Sequence, residues 1–388
     1  MPVLPIILLH MKRLLIILLF PLFFVINAKG SGLEIFPPKN YRGYSNSVGN
    51  NCMLLTDESA YILSLHTSIA DKTLKPFVSI DIYDKKTFAH KGSLAVDSSR
   101  MNLNDARVSD LNMHSDGTLA FILTQDSEMR SSIVLLNRGE KGQSIIELKN
   151  SNGARVSALA AMTDMHNNMF VLGGTETSIS IMKYDADGKR KIDKVIRRLK
   201  ENEGCFLSGI HLAGPESLLV SLNIQSNGER KSVLELYSSD LNRLASADLN
   251  GMLLGCTVSN DAIAFILNKS QDFNKPDSAA LVFDSSLRKK SEVRQSETFK
   301  KMRLPAAMIA NENVFYAITN GITVVSFDEK KIITTQKYNP NGSLGLFSSA
   351  KIDDARIILL SPLLVQTDAC RTSFEDFYIF TLKVPHNN

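Results

Sequence analysis

The sequence predicts an all-β chain folded as a seven-bladed β-propeller, on three observations. A strand phrase recurs along it, the recurrence has a period of 43 to 50 residues, and apolar residues at helical spacing are missing. The phrase is an alternating apolar run, an aromatic, an Asp or Ser, and a polar turn. It stands at 78–86, 179–189, 233–240, 280–286 and 323–331, and from Tyr184 its aromatic returns as Tyr237, Phe283 and Phe327.

A second, wholly apolar strand follows a turn in each unit. Phe121, Phe170, Leu219, Phe265, Phe315 and Ile358 are its equivalent positions, and they set the period. Each unit holds four short β segments; in the third they are 156–162, 169–172, 179–184 and 192–196. Asp116-Gly117 and Asp187-Gly188 are hairpin turns, because glycine accepts positive φ without a Cβ clash. Four antiparallel strands at this period are propeller blades, and radial closure protects the sheet edges that a simple stack would expose. Six blades is the runner-up count. The seventh unit lacks a fourth strand, while Leu33-Glu34-Ile35-Phe36 is left over near the start. That segment is expected to complete the last blade, with Pro37-Pro38 ending it.

The third blade carries Asp164, then Asn167-Asn168-Met169-Phe170-Val171, then Ile181 and Tyr184-Asp185-Ala186-Asp187-Gly188-Lys189. It resembles the NHL-type and related secreted bacterial propeller repeats, a resemblance of architecture across 43–384. It implies a rigid ring that binds ligands at one face or in its channel, and it transfers no catalytic residue. Zero tryptophan sets the chain apart from WD-repeat blades and quinoprotein dehydrogenases.

Met11-Lys12-Arg13, an apolar run over 14–25 and Ala28 have the layout of a secretory signal peptide. The apolar run is shorter than the ~20 residues of a membrane span. Residues 1–28 are therefore expected to be cleaved, leaving 29–388 as one propeller domain in the periplasm or outside the cell. Met11 makes a better start than Met1. Lys12 and Arg13 are the only charges before residue 29, so their loss takes the formal net charge from +4 to +2. That balance excludes a nucleic-acid surface as the main partner. The basic stretch at 189–200 alternates with apolar residues and reads as a solvated outer strand or short helix.

Four cysteines in a secreted chain are compatible with two disulfides. Cys52 in blade one and Cys370 in blade seven would lock the closing seam; Cys205–Cys256, across blades four and five, is the weaker expectation. No two cysteines have C-x-x-C spacing, so neither zinc nor redox chemistry is expected, and no cofactor is implied.

Among candidate site residues, Ala106-Arg107-Val108-Ser109 recurs as Ala154-Arg155-Val156-Ser157, and Lys300, Lys301 and Arg303 occupy the corresponding region of blade six. Equivalent positions converge around a channel mouth, so these cations are candidates for a carboxylate or phosphate ligand. The competing reading pairs each with a nearby acid. His211, in the innermost segment 207–212, is the histidine expected to face the channel, whereas His114 and His166 read as surface turn residues. Asp185-Ala186-Asp187-Gly188 opens like a calcium loop, but Ile196 stands where the bidentate glutamate belongs, so a tight turn is expected. No nucleophile motif or Walker loop is present. The expected function is a non-enzymatic binding scaffold for a protein, peptide or glycan on one ring face, with long second-to-third-strand loops at 67–76, 269–278 and 361–376. The alternative is a propeller hydrolase or lyase, lactonase- or glycosidase-like, with its site in the channel.

Overall fold

The computed structural model describes residues 32–384 except 43, 69–72, 100, 138–141, 260–261, 273–274, 294–298, 300–301, 303–306, 320–321, 339–342, 345–347, 354–355 and 369–370. Of residues 207, 343–344 and 362–376 only the backbone is described. The expected signal segment, Cys370, Lys301 and Arg303 lie outside the described residues.

Every described element is a strand, and the strands form seven antiparallel sheets. The first strand, β1 (Leu33–Phe36), belongs to the last sheet. Blade 1 has a broken inner strand, β2 (Tyr44–Ser47) and β3 (Met53–Leu55), then β4 (Ser59–Ser68), β5 (Phe77–Asp84) and β6 (His90–Ala95). Blade 2 runs outward through β7 (Ala106–Met113), β8 (Leu119–Gln125), β9 (Arg130–Leu136) and β10 (Gln143–Glu147). Blade 3 holds β11 (Ser157–Thr163), β12 (Met169–Gly174), β13 (Ser178–Tyr184) and β14 (Arg190–Arg198). Blade 4 holds β15 (Glu203–Leu212), β16 (Ser217–Ser226), β17 (Glu229–Ser238) and β18 (Arg243–Asn250). Blade 5 holds β19 (Met252–Val258), β20 (Ala262–Asn268), β21 (Ser278–Asp284) and β22 (Lys289–Val293). Blade 6 holds β23 (Ala307–Asn311), β24 (Val314–Ile318), β25 (Thr323–Phe327) and β26 (Ile332–Lys337). In blade 7, β27 (Ser343–Leu344) and β28 (Ser349–Asp353) line the inside, β29 (Arg356–Asp368) and β30 (Arg371–Lys383) follow, and β1 pairs outside them.

Seven blades and the N-terminal closing strand are thus as the sequence predicts. Leu33 pairs Leu382 and Phe36 pairs Ile379, so the two ends of the chain share one sheet. Successive inner strands touch around the ring, from β3 through β7, β11, β15, β19, β23 and β28 back to β3.

The core sits between blades rather than at the centre. Six apolar clusters each join neighbouring blades; one packs Phe170 and Ile181 of blade 3 against Leu218 and Val220 of blade 4. A second strand such as β8 or β20 has a neighbouring blade on both faces and is buried at every residue. An outermost strand such as β6 or β18 has one covered face, and its burial alternates with period two.

The repeated phrase now has a physical cause. Tyr83, Tyr184, Tyr237, Phe283 and Phe327 are all buried, and at each the pairing of the third with the fourth strand shifts register. The shift turns the aromatic into the inter-blade layer. The residue after it caps the turn. Asp84 accepts from the Lys86 and Thr87 amides, Asp284 from Ser286 and Arg288, and Asp328 from Lys330 and Lys331; in blade 4 the Ser238 hydroxyl accepts from Asn242. Asp185 does the same for the Lys189 amide, with Gly188 at φ 77°, so the calcium-like tetrapeptide is a tight turn. The basic stretch is the exposed outer strand β14.

Three expectations change. The described residues of 361–376 are strand rather than loop: β29 and β30 continue pairing from Pro362 with Phe377 out to Asp368 with Arg371. Bulges after Pro362 and Gln366 absorb the residues that break the alternation. His114 is buried, its ring nitrogens without a partner among the described residues, where the Thr118 carbonyl accepts from its backbone amide and closes the turn; His166 is exposed as expected. Cys52, Cys205 and Cys256 stand as free thiols among the described residues, so Cys205 and Cys256 are not bridged to each other, and the expected partner of Cys52, Cys370, lies outside those residues. Cys52 is turned inward, its thiol directed at the Val108 carbonyl at 3.4 Å, and Cys205 meets the Ser208 hydroxyl at 3.0 Å.

Candidate ligand site in the central channel

The inner strands of blades 4 to 7, with the segment before β3, surround a cavity of about 540 Å³. Its size is that of a small-molecule pocket. Bulges aim the wall. The register of β15 slips between Phe206 and Gly209, and that of β19 between Leu253 and Gly255, so Ser208, His211, Cys256 and Thr257 line the cavity. Gly209 sits close against the imidazole. A Cβ there would lie 2.9 Å from His211 Nε2 and 3.1 Å from Ser221 Oγ, so glycine leaves room for the imidazole to lie against its own strand.

His211 therefore faces the channel, as the sequence predicts. Burial, helped by the Lys351 charge, lowers its pKa to about 4, so at neutral pH it is an uncharged imidazole. Lys351, in the middle of β28, lines the same cavity and makes no ion pair or hydrogen bond with a described residue. Burial pulls its pKa below the ordinary lysine value, and Asp110 opposes that pull. Cys256 is held protonated, its pKa pushed up to about 12 by burial.

Asp110 stands behind this wall in β7, buried, at φ 55°. Its carboxylate accepts from Asn51 Nδ2 at 3.0 Å and from Ser109 Oγ at 2.9 Å. Burial outweighs these donors and raises its pKa to about 6. The same corner knits blades 7, 1 and 2. The Asn51 amide donates to the Ser348 carbonyl at 2.7 Å, the Met53 amide to Ser349 Oγ at 3.1 Å, and the Asp110 amide to the Asn50 carbonyl at 2.8 Å.

The arginines do not converge on the channel. Arg107 pairs with Asp126 at 2.9 Å, and Arg155 reaches Glu128 at 3.6 Å and Glu147 at 3.9 Å, all at half-exposed positions. Acids in the β8–β9 turn and at the end of β10 lie within reach and neutralise them, so the competing reading holds. The repeat that contains them pointed elsewhere: after Ala-Arg-Val-Ser, one copy continues with Asp110 and the other with Ala158. That difference marks the buried acid. Lys351 had a signal too, a lone lysine within an inner strand whose alternation sets it on the same side as Ser349.

A second polar cluster went unseen in sequence because its members are up to 52 residues apart. Tyr41 Oη donates to Asp81 Oδ1 at 2.6 Å and Ser93 Oγ donates to the same oxygen at 2.6 Å, with His90 Nε2 3.0 Å from Ser93 Oγ. Beside it, buried His66 contacts Asn46 and Ser79 and stacks on Phe77, with ring centroids 4.3 Å apart. The Ser93 proton is committed to Asp81 rather than to His90, so this cluster anchors the segment after β1 and is not a nucleophile–base pair. Among the described residues no three His, Cys, Asp or Glu side chains are grouped to hold a metal ion.

No protein-family model and no curated protein matches the chain. Solved structures match its fold. The polysaccharide lyase Uly1 aligns at 10% identity with TM-score 0.59, covering 93% of this chain and 95% of its own. A protein of unknown function from Dyadobacter fermentans aligns at 8% identity with TM-score 0.52, covering 91% and 100%. The β-propeller domain of the Trilobed protease from Pyrococcus furiosus aligns at 9% identity with TM-score 0.50, covering 89% and 99%. At such identities the likeness is one of fold. The propeller architecture stands, while the resemblance to NHL-type repeats finds no family match.

Proposed function

We propose that the chain is a secreted or periplasmic binding scaffold that holds a protein, peptide or glycan on one face of the ring. The observation that carries this reading is the uneven height of the hairpins between second and third strands. In blades 2 and 6 these strands have 7 and 5 residues, whereas β16 and β17 have 10 and β29 and β30 have 13. At ~3.3 Å per residue the blade 7 hairpin rises roughly 20 Å above its shorter counterparts. These hairpins rise from the same face, with two blades between them, and recognition elements on propellers and other rigid scaffolds sit at such projections.

A channel enzyme is the second reading, favoured by His211 beside Lys351. Against it, the thiols of Cys52, Cys205 and Cys256 all have raised pKa values through burial, which removes the thiolate nucleophile. The test replaces residues 363–376 by Asn-Gly, which leaves a two-residue turn between the paired Pro362 and Phe377. A partner from envelope extract or a glycan array retained by the full chain and lost by the trimmed one, at unchanged Tm, is the expected result. Equal retention by both, or by neither, overturns the reading.

A further inference from the structure

We propose that the central channel is a binding site for a small hydroxylated carboxylate, whose acid group is held by Lys351 and whose hydroxyls meet His211, Ser208 and Thr257. This site is separate from the hairpin face, and either stands if the other fails.

The cavity is built from inner strands of four consecutive blades, so its wall is rigid before any ligand arrives. Lys351 lines it, and no described carboxylate lies within ion-pair distance of its amine. A cation enclosed in this way is costly unless something of opposite charge completes it. Asp110 answers only part of that need, because its oxygens are engaged by Asn51 and Ser109 and it stands behind the lining. The remaining polar lining side chains are neutral: the His211 imidazole, five serine and threonine hydroxyls, two asparagine amides and the Cys256 thiol. One cation with several neutral polar groups suits a single negative charge carrying hydroxyls. A phosphate dianion asks for more positive charge than the described wall supplies.

The charge balance gives the site a signature. The groups facing Asp110 are Arg107 on its own strand, Asn51 and Cys52 before β3, the Ala161 amide on β11 and Lys351 on β28. Asp110 changes charge near pH 6. Below that pH it becomes neutral, Lys351 keeps its full field, and a carboxylate ligand, still ionised, binds more tightly.

The experiment is calorimetric titration of the full chain with gluconate, its neutral counterpart glucitol, and inorganic phosphate, at pH 5.5 and 7.5. Gluconate is expected to bind at least about tenfold more tightly than glucitol, as a charged hydrogen bond is worth that much, and more tightly than phosphate at pH 7.5, where phosphate is largely the dianion. Its affinity is expected to rise severalfold at the lower pH. Lys351→Met is expected to remove the preference for gluconate over glucitol. If that variant fails to fold, the wild-type pH profile and a shift of the His211 imidazole resonances on titration decide the question. No binding of gluconate, equal binding of glucitol, or of phosphate at pH 7.5, an affinity independent of pH, or a preference surviving Lys351→Met overturns the proposal.

Discussion

The two halves of the channel wall use polar residues in opposite ways. Where blades 7, 1 and 2 meet, Asn51, Ser348, Ser349 and Asp110 hydrogen-bond one another or the neighbouring Asn50 and Met53 and tie the three blades together. Across blades 4 to 7, His211, Cys256 and Lys351 face the cavity without described partners. The first half is the seam between the two ends of the chain, the place where a propeller is easiest to open. A polar network crosses it, beside the pairing of β1 with β30. The second half has no seam to close, and its groups are left for something outside the fold. Satisfied polar groups hold structure, and unsatisfied ones mark where a ligand belongs.

The closed half should break most easily. A Cβ on Gly49 would fall 2.0 Å from the Val108 carbonyl oxygen, a contact that only backbone movement relieves. Gly49→Ala is expected to cost about 3 kcal/mol, read as a lower denaturant midpoint at unchanged slope. Asp110→Ala should cost a similar amount, since it strands Asn51 and Ser109 and forces alanine into positive φ. Asp110→Asn keeps the tolerated conformation and should recover a good part of that loss.

Acidification acts with opposite sign on the buried histidines and on Asp110. His66 and His211 have pKa values lowered from 6.5 to about 4, so the stability they carry is full above pH 6.5 and is lost as pH falls toward 4. Asp110, raised from 3.8 to about 6, does the reverse and adds stability as pH falls from 6 toward 4. Two histidines outweigh one aspartate, and a net loss of roughly 3 kcal/mol is expected between pH 7 and pH 4.5. His66→Gln should shrink that loss and Asp110→Asn should enlarge it, both measured by denaturant unfolding across the range.

These regions were unequally legible in sequence. The blades were readable because five of the seven repeat one local solution, a buried aromatic at a register shift followed by a turn-capping Asp or Ser, as at Tyr83-Asp84 and Phe283-Asp284. The closing strand was readable as a leftover. The channel was not, apart from His211, because its groups come from different blades and meet only after closure. Asp110 and Lys351 are 241 residues apart, and nothing local to either announces the other. The arginines misled for the complementary reason: a repeated motif fixed their place in each blade, but their partners lie in turns that the motif does not contain.

The smallest effects belong to the open half. His211→Gln removes a side chain with no described hydrogen-bond partner from a wall that already borders a cavity, so its stability at pH 7.5 should change by less than about 1 kcal/mol. Gly209→Ala goes further, because the new methyl presses on the imidazole and on Ser221 Oγ, both able to turn away into or along the cavity. It should shift the His211 ring resonances while leaving the denaturant midpoint near the wild-type value. Nuclear magnetic resonance of the imidazole and an unfolding curve, taken on the same variant, separate the two readouts. A large stability loss for both variants would mean that His211 supports the ring as Asp110 does, and the contrast between the two halves would collapse.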